Sequence, residues 1–194
     1  MNYGLLGGQG QLAVGQSSSI LEVVNRRVQV RPAQSFISGQ AFFDFPNIPP
    51  WAKKISVFFN QFSTNGVAPF GIQLGYNGVI TAGVTYSGLG ITLSTGAGIA
   101  NSWNSFAAIG GATSAANNFH GRVEINLFDQ FNNISPGNSL YEIDGRLSGV
   151  VSQVTQIGSG VVIVPYENID RVRIMTSVAD LIDLGNFAAV IEGW

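Results

Sequence analysis

The sequence predicts an all-β protein: an antiparallel, jelly-roll-like β-sandwich with an extended N-terminal arm. Apolar residues recur at every second position in several short segments, which is the period of a strand with one buried face. Turn signals rich in Gly, Asn and Pro separate these segments at intervals of roughly 8 to 20 residues, and helical periodicity is nearly absent. About eight to ten short strands in one domain are typical of a sandwich or jelly roll.

The clearest strand signal lies in the stretch from Phe43 to Gly83. Ile55, Val57 and Phe59 alternate with their neighbours, so these three side chains are predicted to face the core. Prolines just before this strand stop any helix. Asn65-Gly66 marks the loop after it, because both residues accept a positive φ.

Nine other segments are predicted to be strands from the same alternation. They are residues 20–30, 40–45, 72–74, 84–93, 120–128, 141–154, 161–164, 169–175 and 187–194. In residues 20–30 the β-branched content argues against a short helix from Ser19 to Arg26. Gly88 and Gly90 are interpreted as a turn, and so is Gly158-Ser159-Gly160. The predicted core consists of Ile55, Val57, Phe59, Val123, Ile125, Leu127, Val172 and Ile174.

Residues 1–35 are predicted to form the arm and residues 36–194 the sandwich domain. Residues 1–19 are rich in Gly, Gln and Ser, so they form either a flexible tail or an arm that orders on a neighbouring subunit. The N-terminus lacks the basic and apolar regions of a secretory signal, and no apolar run reaches the roughly 18 residues that a spanning helix needs. We expect synthesis in the cytoplasm and no membrane insertion.

The chain carries little charge. Asp, Glu, Lys and Arg make up 10% of its residues, against about a quarter in a typical domain. Either neutral polar groups solvate the surface or other protein covers much of it; we favour the second, since interface cores are depleted of charge. A net charge of -2 without a Lys/Arg cluster argues against nucleic acid. The lack of cysteine excludes disulfides and thiol chemistry.

Residues 94–118 are predicted to be a long loop or to hold one short helix over residues 103–109. Three aromatic residues, Trp103, Phe106 and Phe119, stand among Asn and Ser in and beside this segment. They could form a platform with polar rims on which a sugar ring stacks, which would be a receptor or partner contact. We favour the alternative, that they plug the end of the sandwich or fill a subunit contact.

Catalysis is not predicted. His120 is the only histidine and no Gly-x-Ser-x-Gly elbow occurs, so a serine triad could be built only on that residue. The acids available for a glycosidase pair, Asp129, Glu142, Asp144 and Asp170, follow no motif. Asp129 with Asn132 and Asn133 could bind calcium, but these residue types are also expected in a turn. We therefore predict no enzyme, no metal and no cofactor.

Three fragments together resemble a known family. The first comprises Phe45, Ile48-Pro49, Lys54-Ile55-Ser56-Val57, Ser63-Thr64-Asn65-Gly66, Ile72-Gln73-Leu74-Gly75, Gly78, Ile80 and Gly83. The second runs from His120 to Leu127, and the third from Asp170 to Thr176, followed by Asp183, Gly185 and Phe187. In this order they resemble a β-sandwich module of tailed-bacteriophage virion proteins, found in tail fibre tips and other phage structural proteins.

The resemblance implies a non-enzymatic structural protein located in the virion. It would be a tail fibre or baseplate-associated appendage involved in host attachment, or alternatively a capsid decoration (cement) protein that stabilises the head. Such modules form homotrimers, so we expect neutral faces and Trp194 to pack across a threefold axis. The N-terminal arm would bind other virion proteins, and residues 94–118 would contact a host-surface glycan or protein.

Overall fold

The described part of the chain is built from antiparallel β-sheet. The computed structural model describes residues 27–35, 39–80, 85–94, 97–102, 107–111, 118–128, 139–149, 155–164, 169–176 and 180–194. Within these segments every regular secondary-structure element is a β-strand, and each strand pair is antiparallel. The predicted all-β, antiparallel class is therefore confirmed for this part of the chain. No helix among these residues is long and apolar enough to cross a membrane.

Thirteen strands lie within the described residues. They are β1 Arg27–Ser35, β2 Phe42–Pro46, β3 Lys54–Thr64, β4 Pro69–Tyr76, β5 Val79–Ile80, β6 Thr85–Ser94, β7 Ala97–Ser102, β8 Ala107–Gly111, β9 Phe119–Phe128, β10 Ser139–Gly149, β11 Thr155–Val164, β12 Arg171–Thr176 and β13 Ile182–Gly193. An eight-stranded sheet has the order β1-β13-β3-β9-β10-β11-β6-β7. A five-stranded sheet has the order β2-β12-β4-β5, and β8 also pairs with β4.

The two sheets contribute to one apolar core. Phe43 of β2 lies 4.8 Å from Phe187 of β13, and Phe62 of β3 lies 4.8 Å from Phe70 of β4, measured between ring centroids. The predicted core residues Ile55, Val57, Phe59, Val123, Ile125, Val172 and Ile174 are buried, and Leu127 is partly buried against them. The predicted core is thus confirmed, with Leu127 at its margin. Each such side chain contributes about 1.5–3 kcal/mol when it leaves water.

The first strand overlaps the predicted arm. β1 covers nine residues and pairs with β13, from Arg27 opposite Gly193 to Ser35 opposite Asn186. Its register shifts in the interval that contains Pro32. Residues 27–35 therefore belong to the eight-stranded sheet, whereas residues 1–26 of the predicted arm lie outside the described residues.

Residues 94–118 contain two strands rather than the long loop or the short helix expected from composition. β7 pairs with β6 at the edge of the eight-stranded sheet. β8 pairs with β4 of the five-stranded sheet and also lies beside β6 and β11 of the other sheet. A segment rich in Gly, Ala and Ser can therefore form strands here, because its backbone N–H and C=O groups form hydrogen bonds with the neighbouring strands.

The glycine pairs interpreted as turns are strand interiors. β6 runs unbroken through Gly88 and Gly90, and β11 through Gly158 and Gly160. Gly90 pairs with Gly158, which also lies opposite Gly145 of β10, and Gly88 pairs with Gly160. Glycine inside a strand often marks the close approach of another backbone, and here β8 lies beside β6 and β11. The turn interpretation was wrong, because both strands continue through these glycines, which lie opposite one another in neighbouring strands.

Candidate interaction surface

The three aromatic residues predicted as a contact platform have different locations. Trp103 and Phe106 lie outside the described residues, so their role stays a prediction. Phe119, the first residue of β9, is fully buried; its ring centroid lies 5.4 Å from that of Phe70 and 6.5 Å from that of Phe62. Phe119 therefore packs between the sheets, the second role that the sequence left open, and a receptor cannot reach it in this chain.

Trp194, the predicted oligomer contact, lies at the surface. It follows Gly193, which pairs with Arg27 of β1. A Cβ atom on Gly193 would lie 2.3 Å from the carbonyl oxygen of Trp51, so only glycine allows β13 to pass this close. The side chain of Trp194 is 67% exposed. A large apolar group is thus accessible beside the first strand, and its role in assembly stays a prediction.

The outward face of the eight-stranded sheet carries an apolar area on β1, β13 and β3. Val28 and Val30 of β1 are 54% and 65% exposed. Val30 lies opposite Val190, and Ala188 lies opposite Phe58, which is also exposed. Residues directly opposite in an antiparallel pair share one face of the sheet. We call Val28, Val30, Val190, Ala188 and Phe58 the outer apolar patch.

β1 reverses the usual placement of polar and apolar residues. Its polar residues Gln29 and Arg31 lie opposite Ile191 and Ala189, which are buried in the core. Gln29 and Arg31 therefore share the inner face, where Arg31 Nη2 donates a hydrogen bond of 2.8 Å to the carbonyl oxygen of Asn47. The valines of the same strand consequently point away from the core of this chain.

Next to the outer apolar patch the same face becomes charged. Lys54 Nζ lies 3.1 Å from Glu124 Oε1, and Arg122 Nε lies 3.4 Å from the same oxygen. On the next strand, β10, Arg146 Nε lies 4.0 Å from Asp144 Oδ2. The two pairs that involve the exposed residues Arg122 and Arg146 contribute only about 0–1 kcal/mol each. Their main effect is to give this half of the face a solvated surface of mixed sign.

The outward face of the five-stranded sheet carries a tighter ionic cluster. Arg173 donates to Asp44 through Nε at 2.7 Å and through Nη2 at 2.9 Å, and Arg171 Nη1 donates to the same carboxylate at 2.8 Å. The guanidinium carbon of Arg173 lies 3.6 Å from the ring centroid of Phe42. Charge-assisted forks and cation–π contacts are stronger than single exposed pairs. This cluster fastens the edge strand β2 to β12.

A set of hydrogen bonds joins the loop between β3 and β4 to the start of β13. Asn65 Oδ1 accepts from the backbone N–H of Leu181 at 2.8 Å, and the Asn65 N–H donates to the Leu181 carbonyl at 3.0 Å. Ser63 Oγ donates to the carboxylate of Asp183, and the carboxylate of Asp180 accepts from the backbone of the same loop. The sequence showed the turn but not these partners, which are 112, 116 and 120 residues away.

Two of the side chains considered for catalysis accept backbone hydrogen bonds. His120 Nδ1 accepts a hydrogen bond of 3.4 Å from the backbone N–H of Gln61, and Asp170 Oδ2 accepts one of 2.9 Å from the N–H of Gly78. Among the residues that the structure describes, no three His, Cys, Asp or Glu side chains are grouped to hold a metal ion. The turn residues Asp129, Asn132 and Asn133 lie outside those residues.

Comparison of the chain with protein-family models, with curated protein sequences and with solved structures gives no match. Function is therefore inferred from the residues of this chain, from their arrangement and from the three resembling fragments.

Proposed function

We propose that this chain is a non-enzymatic structural protein of a bacteriophage virion, built on a jelly-roll-like β-sandwich. In this proposal it is a tail fibre or baseplate-associated appendage that takes part in host attachment. The observation that carries the proposal is spatial. The three fragments that resemble the phage virion module are far apart in the sequence, yet they are neighbours in the two sheets.

The apolar residues of the fragments meet one another. The first fragment contains β3 and β4, the second lies in β9, and the third contains β12 and part of β13. Ile55 and Val57 of β3 lie opposite Ile125 and Val123 of β9. Val172 of β12 lies opposite Leu74 of β4. The quoted apolar residues are therefore in register with one another, as the proposal that the fragments belong to one module requires.

The polar residues of the fragments also meet. Ser63 of the first fragment donates to Asp183 of the third, and Asn65 of the first exchanges two hydrogen bonds with Leu181, two residues before Asp183. Buried or half-buried polar groups need partners of matching chemistry. The quoted residue types therefore depend on one another, which supports the same module-level interpretation.

The remaining parts of the proposal follow the same scheme. The N-terminal arm binds other virion proteins, three copies associate through neutral faces and Trp194, and residues 94–118 with Trp103 and Phe106 contact a host-surface glycan or protein. The low charge of the chain, 10% of its residues, supports a surface that other protein covers. A capsid decoration protein would have the same low charge, so its location in the particle distinguishes the two roles.

Immunogold labelling of purified phage particles with an antibody to this chain tests the proposal. Gold confined to the tail end is the expected result, with pre-immune serum and an unrelated phage as controls. Gold spread over the head would replace the appendage by the decoration role. Particles that carry neither gold nor the chain on an immunoblot would overturn the virion proposal altogether.

A further inference from the structure

We infer that the outer apolar patch of the eight-stranded sheet is a contact surface between two copies of this chain. The patch consists of Val28, Val30, Val190, Ala188 and Phe58. This inference concerns association in solution and does not depend on the virion proposal.

The reversal of polarity in β1 is the first argument. An edge strand with one face on a core normally directs its apolar residues inward and its polar residues outward. In β1 the inner positions hold Gln29 and Arg31, while Val28 and Val30 are more than half exposed on the outside. The register aligns Val30 with Val190 on the next strand. Contiguous exposed apolar residues of this kind mark a site of association.

The charges around the patch indicate that the partner is a second copy. Glu192 lies opposite Val28 of β1 and opposite Lys54 of β3 in the strand register, and Arg122 lies opposite Phe58. The border of the patch thus carries both signs at close range. A strongly acidic or strongly basic partner would meet like charges on it. A second copy brings the same mixture, so acids of one copy can face bases of the other across the contact.

The size of the face suits such a contact. The apolar part lies on the three neighbouring strands β1, β13 and β3, which span about 10 Å at a spacing near 4.8 Å and run about 30 Å in length, or on the order of 300 Å². The mixed-charge strands β9 and β10 bring the whole face to on the order of 600 Å². A standard interface buries about 800 Å² per partner. Trp194, 67% exposed, follows Gly193, which pairs with Arg27, the residue before Val28 in β1. The central apolar part and the mixed border match the usual anatomy of an interface.

Two lysine substitutions of the full chain test the inference. Val30 in the patch is 65% exposed, and Val67, in the loop between β3 and β4, is 62% exposed and serves as the matched control. We expect the unchanged chain and Val67→Lys to elute as the same oligomer in size-exclusion chromatography with light scattering. Val30→Lys should fall towards the monomer mass of 20.5 kDa at the same loading concentration, with an unchanged β-type circular dichroism spectrum.

A monomeric parent chain at all concentrations, or a Val30→Lys variant that keeps the parent's mass, would overturn the inference. Should Val30→Lys fail to fold, single-cysteine variants decide the matter, because the chain contains no cysteine of its own. Val30→Cys should form a dimer with a short bismaleimide in several-fold higher yield than Val67→Cys. Equal yields at the two positions would count against the patch. Neither result depends on where gold labels a particle.

Discussion

Asn65 and Leu181 bind each other twice: the Asn65 side chain accepts the Leu181 N–H at 2.8 Å, and the Asn65 N–H donates to the Leu181 carbonyl at 3.0 Å. The pair joins the loop after β3 to the segment that leads into β13, across 116 residues of sequence. Two chain segments that leave the core at the same end are thereby held in one arrangement, and each satisfies backbone groups of the other.

Removing the side chain of Asn65 should destabilise the fold modestly. Asn65→Ala leaves the Leu181 N–H without its acceptor, so the free energy of unfolding should fall by about 1 kcal/mol. Urea denaturation measures the change. Asn60→Ala, on the exposed outward face of β3, is the matched control and should stay within about 0.5 kcal/mol of the parent. Equal losses in the two variants would show that the Asn65 contact has no special weight.

Asp44 should matter much more than an exposed aspartate in an ion pair. Asp44→Ala leaves the guanidinium groups of Arg171 and Arg173, both largely shielded, without a counter-charge. We expect a loss of about 1–3 kcal/mol in the free energy of unfolding. Asp144→Ala removes a pair at 4.0 Å with a much more exposed arginine, and should cost less than about 1 kcal/mol. Reversed magnitudes would contradict the assignment of the stabilising cluster to the five-stranded sheet.

Gly121 should tolerate no side chain. A Cβ atom there would lie 2.0 Å from the carbonyl oxygen of Arg146 on β10, so β9 and β10 would have to separate. Gly121→Ala should therefore cost several kcal/mol or prevent folding, because backbone cannot move aside as a flexible side chain does. Gly39→Ala is the control: its φ of 92° is also positive, but no atom lies within 4 Å of the added carbon. That change should cost only about 1–2 kcal/mol, as measured by soluble yield and denaturation.

Alanine substitutions of Phe119 and Trp194 should distinguish a residue that stabilises the fold from a residue that is accessible for contact. Phe119→Ala empties a fully buried site between Phe62 and Phe70, and the free energy of unfolding should fall by about 3–5 kcal/mol. Trp194→Ala removes a side chain that is 67% exposed, and monomer stability should change by less than about 0.5 kcal/mol. Thermal and urea unfolding at low protein concentration measure both. A stable Phe119→Ala variant would reopen its role as a contact residue.

The fold was predictable where each strand has one buried and one exposed face. In β12, Val172 and Ile174 alternate with Arg171 and Arg173, and burial alternates at every step. Period-two alternation reports this arrangement directly, because successive side chains point to opposite faces. The same reasoning located the strand that contains Ile55 and the core residues of β9. It could not identify the Asp44 partner of the two arginines, since that pairing depends on tertiary register.

Prediction failed where side chains are small. In a sequence, glycines such as Gly88, Gly90, Gly158 and Gly160 predict turns, because glycine has no side chain to pack on a strand face and is common in turns. In the sheet they lie opposite one another, beside a third strand that packs close to them. Phe119 was ambiguous for a related reason: an aromatic residue after polar ones looks the same whether it ends a loop or begins a buried strand. In both cases contacts between distant segments decide the outcome.

Pro32 limits how this protein can polymerise. A sheet edge with an unbroken row of N–H and C=O groups recruits another strand, and each new strand offers the next edge. Pro32 has no N–H to offer, and β1 changes register in the interval that contains it. The addition of further strands is therefore disfavoured at this edge. A contact between sheet faces, in contrast, offers no row of unpaired N–H and C=O groups to which a further strand could be added.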